Sequence, residues 1–354
     1  MRRPLELPTW HEITDLAAQH GIEHLGVAPA SVLDRALDAI NERKAAGLHA
    51  GMQFTYRNPE RSTDPHRAVA NARSIIVAAR PYRAEHEPAR PAGVQAKVGR
   101  YAWIDHYAPL RVGLRAIAHR IRGADHRAVA FADDNSIVDR EVAYLGGLGW
   151  FGKNANILVP GAGSFFVLGS IITTAEYPVS QPVDDGCGTC RRCIDGCPTG
   201  AIIAPGVVDG NKCLAWLVQQ PGTFPVEFRE ALDDRLYGCD DCQEVCPLSV
   251  RLGDRHRISL AEQPDDEPIQ AWVDVLDLLE SSDDQLIERH GRWYLPNREP
   301  VWWRRNALIV LGNRGDLTDP RTRVVLDRYL ADPDPILREH AEWAAHRLGG
   351  VGAR

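Results

Sequence analysis

The period of apolar and polar positions changes several times along the chain, and each change marks an element. Thr14 to His20 has helical spacing and stops at Gly21, and Ile22 to Ala28 then runs apolar and extended. Ser31 is placed to cap a helix that continues to about Ala46, with Gly47 as its stop. Ser74 to Ala79 (SIIVAA) is a short continuous apolar run, which predicts a buried strand. Leu110 to Ile121 returns to helical spacing with arginines between the apolar positions. Ala128 to Ala132 predicts a strand ended by Asp133-Asp134-Asn135, and a helix is expected from Ile137 to Leu145. Gly146 to Asn154 holds too many glycines for helix or strand and is expected to be a loop, whereas Phe165 to Thr173 (FFVLGSIIT) is a strong strand. Together these elements predict a mixed α/β (α+β) domain over residues 1–176.

From Tyr177 to Gly186 the chain turns polar and proline-bearing, which predicts a boundary; a second unit spans 177–260 and a third 261–354. Glu262 to Glu288 holds ten acids, and the balance then reverses, with eight arginines, four acids and no lysine between Arg292 and Arg328. Val301 to Gly312 predicts a helix with a glycine stop, and Asp334 to Ala344 a second one with proline in its first turn. Two such units roughly thirty residues apart predict a small all-helical, HEAT-like tail.

Composition adds limits. The chain has 354 residues, 44% hydrophobic and 25% charged, as expected of a globular protein of more than one domain. No run of apolar residues is long enough to span a bilayer, and the start lacks an apolar leader segment, so a cytoplasmic protein without membrane attachment is expected. The net charge is −7, so a nucleic-acid partner has to meet a local basic patch.

All eight cysteines lie between Cys187 and Cys246, which argues for metal and against a disulfide framework. Cys187, Cys190, Cys193 and Cys197 follow C-x-x-C-x-x-C-x-x-x-C with Pro198 next; Cys239, Cys242 and Cys246 follow C-x-x-C-x-x-x-C with Pro247 next; Cys213 stands between. The first run is the spacing of bacterial two-cluster ferredoxins, in which the last cysteine ligates the other cluster. A ferredoxin-like unit with two 4Fe–4S clusters is therefore predicted, one held by Cys187, Cys190, Cys193 and Cys246, the other by Cys197, Cys213, Cys239 and Cys242. Zinc is the rival, but it does not need a three-cysteine run of this kind. Paired clusters carry single electrons, so the domain before them should hold what those electrons reduce. That domain has neither the G-x-G-x-x-G dinucleotide fingerprint nor the Asp-x-His-x-x-Gly signature for cobalamin.

Several further stretches, in all three units and in the same order, resemble the epoxyqueuosine reductase family, cobalamin and iron–sulfur enzymes that complete queuosine in tRNA. They are Arg100-Tyr101-Ala102-Trp103, Leu148-Gly149-Trp150-Phe151-Gly152-Lys153-Asn154, CGTCRRCIDGCPTGAI from Cys187, YGCDDCQEVCP from Tyr237, and Arg305-Asn306-Ala307-Leu308 with Leu311-Gly312-Asn313.

The resemblance implies cobalamin as a second cofactor, contacted by Tyr107, Trp150, Lys153 and Asn154. It implies tRNA carrying epoxyqueuosine as substrate, a reductant such as a flavodoxin or ferredoxin, and a monomer. The family's Asp-Ser-x-Pro acid falls on Asp133, with Asp134 as the neighbouring placement and the proline missing. Arg298, Arg304 and Arg305 are the expected phosphate contacts, unless the tail arginines pair instead with the acids of 262–288. The family's Asp-Tyr-His is replaced by His106-Tyr107-Ala108, which leaves two other readings open. One is a reductase of the same architecture with a different substrate; the other is a non-catalytic electron-transfer protein.

Overall fold

In the computed structural model the fold is described for residues 5–252, 257–260 and 268–349. Strands β1 (His24–Pro29), β2 (Ser74–Pro81), β3 (Gln95–Val98), β4 (Ala128–Ala132), β5 (Trp150–Phe151), β6 (Ile157–Leu158) and β7 (Phe166–Thr173) precede the cysteines; β8 (Ile202–Ala204), β9 (Val207–Val208) and β10 (Arg235–Tyr237) lie among them, and β11 (Trp272–Asp274) follows. The main sheet has the order β1-β2-β7-β4, antiparallel throughout. Alternation along β2 divides its side chains between two cores. Ile76 and Ala78 pack with Leu110, Leu114, Ile117 and Ile121 of the helix Tyr107–Arg122. Ile75, Val77 and Ala79 pack with Val142 and Ala143 of the helix Asp139–Leu145 on the other face. The mixed α/β expectation holds, with helices on both faces of an antiparallel sheet.

The ends of the predicted elements shift for local reasons. The first helix runs Trp10–Ala18, because Thr9 and Glu12 form a capping box ahead of Thr14. The second begins at Asp34 with Leu33 as its N-cap, so Ser31 does not cap it. The helix expected from Ile137 starts at Asp139, since Val138 is extended and its N–H donates to Ser62 O at 3.0 Å. The expected loop 146–154 contains a correction: Trp150–Phe151 is a strand, paired with β6. Gly149 makes this pairing possible, as a Cβ there would sit 2.1 Å from Leu158 O.

β3 leaves the main sheet and joins the rest of the chain. It pairs in parallel with β10 and antiparallel with β11. Ala96, Val98, Ala102 and Trp103 thus share one core with Leu308, Leu311, Ala341 and Ala344 of the tail. That tail is helical at Val275–Glu280, Asp283–His290, Val301–Arg314, Pro320–Leu330 and Pro335–Arg347. The helix Val301–Arg314 runs through its middle and is buried continuously from Arg305 to Gly312. Asp319 and Asp334 cap the helices that follow, each with proline in the first turn. Of the acidic run, Glu262, Asp265, Asp266 and Glu267 lie outside the described residues. Among the described residues no helix is long and apolar enough to cross a membrane.

Candidate active site

The eight cysteines are free, and their mutual electrostatics sort them into tetrads. The Cys193 thiol is pushed up by burial and then by Cys246, Cys187 and Cys190. The Cys242 thiol is pushed up by burial and then by Cys239 and Cys213, with Asp240 and Cys197 adding to them. These are the two sets that the spacing predicts. Zinc would draw four sulfurs to about 2.3 Å from one centre, whereas a cubane takes each thiolate on a separate corner. Eight free thiols in two such groups are the donor set that two cubane clusters take. Donors also aim at the sulfurs: Ala201 N reaches Cys197 Sγ at 3.3 Å and Trp150 Nε1 reaches Cys187 Sγ at 3.4 Å. Cys190 is exposed, which makes its tetrad the outer one, while burial pushes the Cys239 thiol of the inner tetrad up to about 12.

A buried ion network fastens the inner tetrad to β3. Arg100, only 6% exposed, donates from its backbone N to Asp240 Oδ2 at 2.8 Å and from its guanidinium to Asp240, Glu244 and Glu87. Lys97 joins Glu244 at 2.8 Å. Asp240 lies between Cys239 and Cys242, so these ion pairs fix the loop that presents both thiolates. Arg100, the first residue of the Arg-Tyr-Ala-Trp stretch, thus supports the loop that carries two cluster cysteines.

The glycine-rich stretch also reaches the cluster segments. Lys153 Nζ donates to Gly188 O at 2.6 Å and Cys190 O at 2.9 Å, and Asn154 Nδ2 donates to Cys242 O at 3.2 Å. Trp150 is held against Gly186, where a Cβ would stand 2.7 Å from the indole ring. Trp150, Lys153 and Asn154, the expected cobalamin contacts, thus each reach a cysteine or the backbone beside one. Of the predicted cobalamin contacts, Tyr107 alone stays beside Asp133: burial and then the Asp133 and Asp139 carboxylates push its hydroxyl pKa up.

Asp133 ends β4 in a left-handed conformation, φ 56°, which turns its side chain out of the strand. It lies on the wall of a cavity of about 320 Å³, opposite Arg292, Trp293, Tyr294, Arg298 and Trp303. Asp133 is exposed at the cavity mouth, yet loss of hydration among the surrounding groups pushes its carboxyl above the ordinary range, against the pull of Arg111. Asp134 is committed to the turn, accepting from Ser136 N at 2.7 Å. A carboxyl missed in the sequence, Asp139, stands behind Asp133. Burial and then Asp133 and Asp134 push it up, and its Oδ1 is buried without a hydrogen-bond partner. Its place in the first turn of a helix reads simply as an ordinary capping acid, which is why the sequence did not reveal it.

The predicted tail arginines separate. Arg298 is exposed on the cavity wall. Arg304 donates to Asp283 and to Ser281 O at 2.9 Å, the pairing with the acidic stretch that stood as the alternative. Arg305 is a correction: it is 1% exposed and donates to the carbonyls of Gln220, Gly222 and Leu217, so no phosphate can reach it. Burial pushes its guanidinium down to about 9.

Comparison with known proteins places this geometry. Residues 186–249 match a family model described as a 4Fe-4S double cluster binding domain. The chain is similar to epoxyqueuosine reductase of Bacillus anthracis, 32% identical over 94% of this chain and 87% of that protein. It is similar to epoxyqueuosine reductase of Lactococcus garvieae, 30% identical over 95% of each. Among solved structures it superposes on an epoxyqueuosine reductase with a tRNA-Tyr epoxyqueuosine-modified stem loop at a TM-score of 0.86, with 29% identity over 96% of this chain and 90% of that one. The enzyme from Streptococcus thermophilus gives 0.83 at 29% identity, again over 96% and 90%. With a carboxyl of raised pKa at a cavity between sheet and tail, a double-cluster domain, and a match along nearly its whole length, the chain belongs to the epoxyqueuosine reductase family.

Proposed function

We propose that this chain reduces the epoxide of epoxyqueuosine in tRNA to the alkene of queuosine. The balance is one epoxide, two electrons and two protons to one alkene and one water. The observation that carries the reading is the place of Asp133, a carboxyl held protonated more readily than usual on a cavity whose far wall comes from residues 291–303. An epoxide oxygen leaves poorly as an alkoxide, so a placed acid contributes about 10²–10⁴-fold. Asp133 delivers that proton, and Arg298 meets an RNA phosphate at the cavity edge. The outer tetrad receives electrons from a low-potential carrier such as a flavodoxin or ferredoxin, and the inner tetrad passes them inward. Cobalamin, when bound, supplies a reduced cobalt centre able to attack an epoxide carbon, and Tyr107 is the residue placed to touch it. Trp150, Lys153 and Asn154 brace the segments that carry the cysteines. The tail helices, read as a HEAT-like unit, carry the RNA-facing wall. A related structure, an epoxyqueuosine reductase of Bacillus subtilis at TM-score 0.85, has its catalytic aspartate loop swung out of the active site, which supports a working acid on a movable loop.

The test is turnover of an epoxyqueuosine-bearing stem-loop by cluster-loaded protein with added cobalamin and a low-potential reductant under anaerobic conditions. Loss of one oxygen from the nucleoside, read by mass spectrometry, is the expected result. Intact substrate after complete loading of both cofactors would overturn the reading.

A further inference from the structure

The rim of the Asp133 cavity carries a feature that the reduction does not use. Phe54 and Tyr294 are 36% and 46% exposed, and among the described residues no other Phe, Tyr or Trp stands open to solvent. Their ring centroids are 5.3 Å apart at 61°, an edge contact in which the rings are not stacked on each other. Tyr294 lines the cavity together with Asp133. Phe54 also meets Trp216 edge-on at 5.8 Å, and Trp216 follows closely on Cys213 of the inner tetrad.

The loop that bears Phe54 is anchored in place. Trp216 Nε1 donates to Ala50 O at 3.0 Å, Gly210 N to Leu48 O at 2.8 Å, Asn211 Nδ2 to Gly47 O at 3.0 Å, and Lys44 Nζ to Tyr56 O at 3.0 Å. Phe54 is therefore presented in a fixed position, and both rings face solvent, where their exposed apolar surface gains nothing from burial within this chain. Two exposed cations, Arg57 and Arg298, stand close to them in sequence. On the cavity wall Trp303 is fully buried, yet its indole N–H has no protein acceptor, which leaves a donor for a ligand oxygen.

We infer that Phe54 and Tyr294 form a stacking platform for an unpaired base next to the modified nucleoside. Proteins read single-stranded RNA loops by splaying bases onto aromatic faces, with cations tracking the backbone. An open aromatic pair, flanking arginines and an adjacent cavity with a catalytic acid make up that combination. The inference rests on the functional reading above and adds the part of the RNA that the rim holds.

The test uses cofactor-loaded protein and an epoxyqueuosine-bearing stem-loop with 2-aminopurine beside the modified nucleoside. Phe54→Leu keeps an apolar side chain against Trp216 and Tyr294→Leu one against Phe54, and each removes a π-face; Tyr294→Phe keeps it. Each leucine variant is expected to weaken binding about 5- to 100-fold, the range for losing one stacked base. The salt slope should stay unchanged, because no phosphate contact is lost. The 2-aminopurine should lose its quenching, melting temperature and cobalamin binding should hold, and Tyr294→Phe should match the parent. Undiminished RNA affinity in the double leucine variant would overturn the platform, as would loss of cobalamin binding with RNA affinity intact. If the parent protein binds and turns over the stem-loop and the leucine variants equal it, only the platform fails. If the parent itself does not bind, the functional reading fails with it.

Discussion

Two adjacent aspartates show how one residue of displacement decides a role. Asp134 accepts from Ser136 N and closes a turn, while Asp133, held at φ 56°, reaches the cavity. Asp133→Asn is expected to keep both clusters and lower turnover about 10²–10⁴-fold, because an amide cannot deliver the proton. Asp134→Asn should retain most activity. The pH dependence has a defined sign. Loss of hydration raises the Asp133 pKa, so the acid form persists to higher pH than for a free aspartate. Turnover should fall as pH rises through that raised value, and in Asp133→Asn this limb should be absent from the rate profile. The choice between Asp133 and Asp134 could not be made from the sequence, since both types are common after a strand. The backbone angle of one and the hydrogen bond of the other are what separate them.

Among the elements, the stretch from Leu148 to Asn154 departs furthest from its reading. Its glycines are visible in the sequence, but not their use: Gly149 lets β5 pair with β6, and Gly152 packs close to Asn154 and Leu158. The cysteine tetrads, by contrast, were legible, because ligand spacing along the chain is itself the geometric requirement. The helix from Val301 was legible too, though the role of Arg305 was not: a cation between two other tail arginines and a buried hub for carbonyls look alike in one dimension. Lys153 ties β5 and its turn to the carbonyls of Gly188 and Cys190. Lys153→Met should loosen the outer tetrad and leave the inner one in place. Iron bound per chain after anaerobic reconstitution should then drop toward half the parent value, a count made by metal analysis. Full iron content in Lys153→Met would remove this supporting role.

For the molecule as a whole, three buried imidazoles set a limit on acid tolerance. Burial, then nearby cations, hold His106 and His340 down to about 3, and burial with Arg289 and Arg292 holds His290 down to about 4. His340 is neutral by its bonding, with Nδ1 donating to Ile336 O at 2.7 Å and Nε2 accepting from Phe224 N at 3.2 Å. Glu339 lies 2.9 Å from the same ring but is engaged by Arg229. Below pH 6.5 the unfolded chain binds protons that the folded chain refuses, so folding stability falls as pH drops from there toward 4. Each such histidine contributes about 1.4 kcal/mol per pH unit in that window. Denaturant melts at a series of pH values should show the loss, and His340→Asn should flatten the slope by about one proton.

The pairing of β3 also bears on how the chain is made. Gln95 finds its partner at Asp274, and Lys97 reaches toward both β10 and β11, so the strand waits for chain synthesized long after it. Contacts this distant in sequence are slow to form, since the intervening loop must close before any pairing stabilises it. Every cysteine lies inside that interval. The ligands emerge before the strand that seals their support is complete, so metal has its easiest access during an open, partly folded stage. Iron supply at that stage, more than the stability of the finished protein, is then expected to govern how much active enzyme a cell recovers.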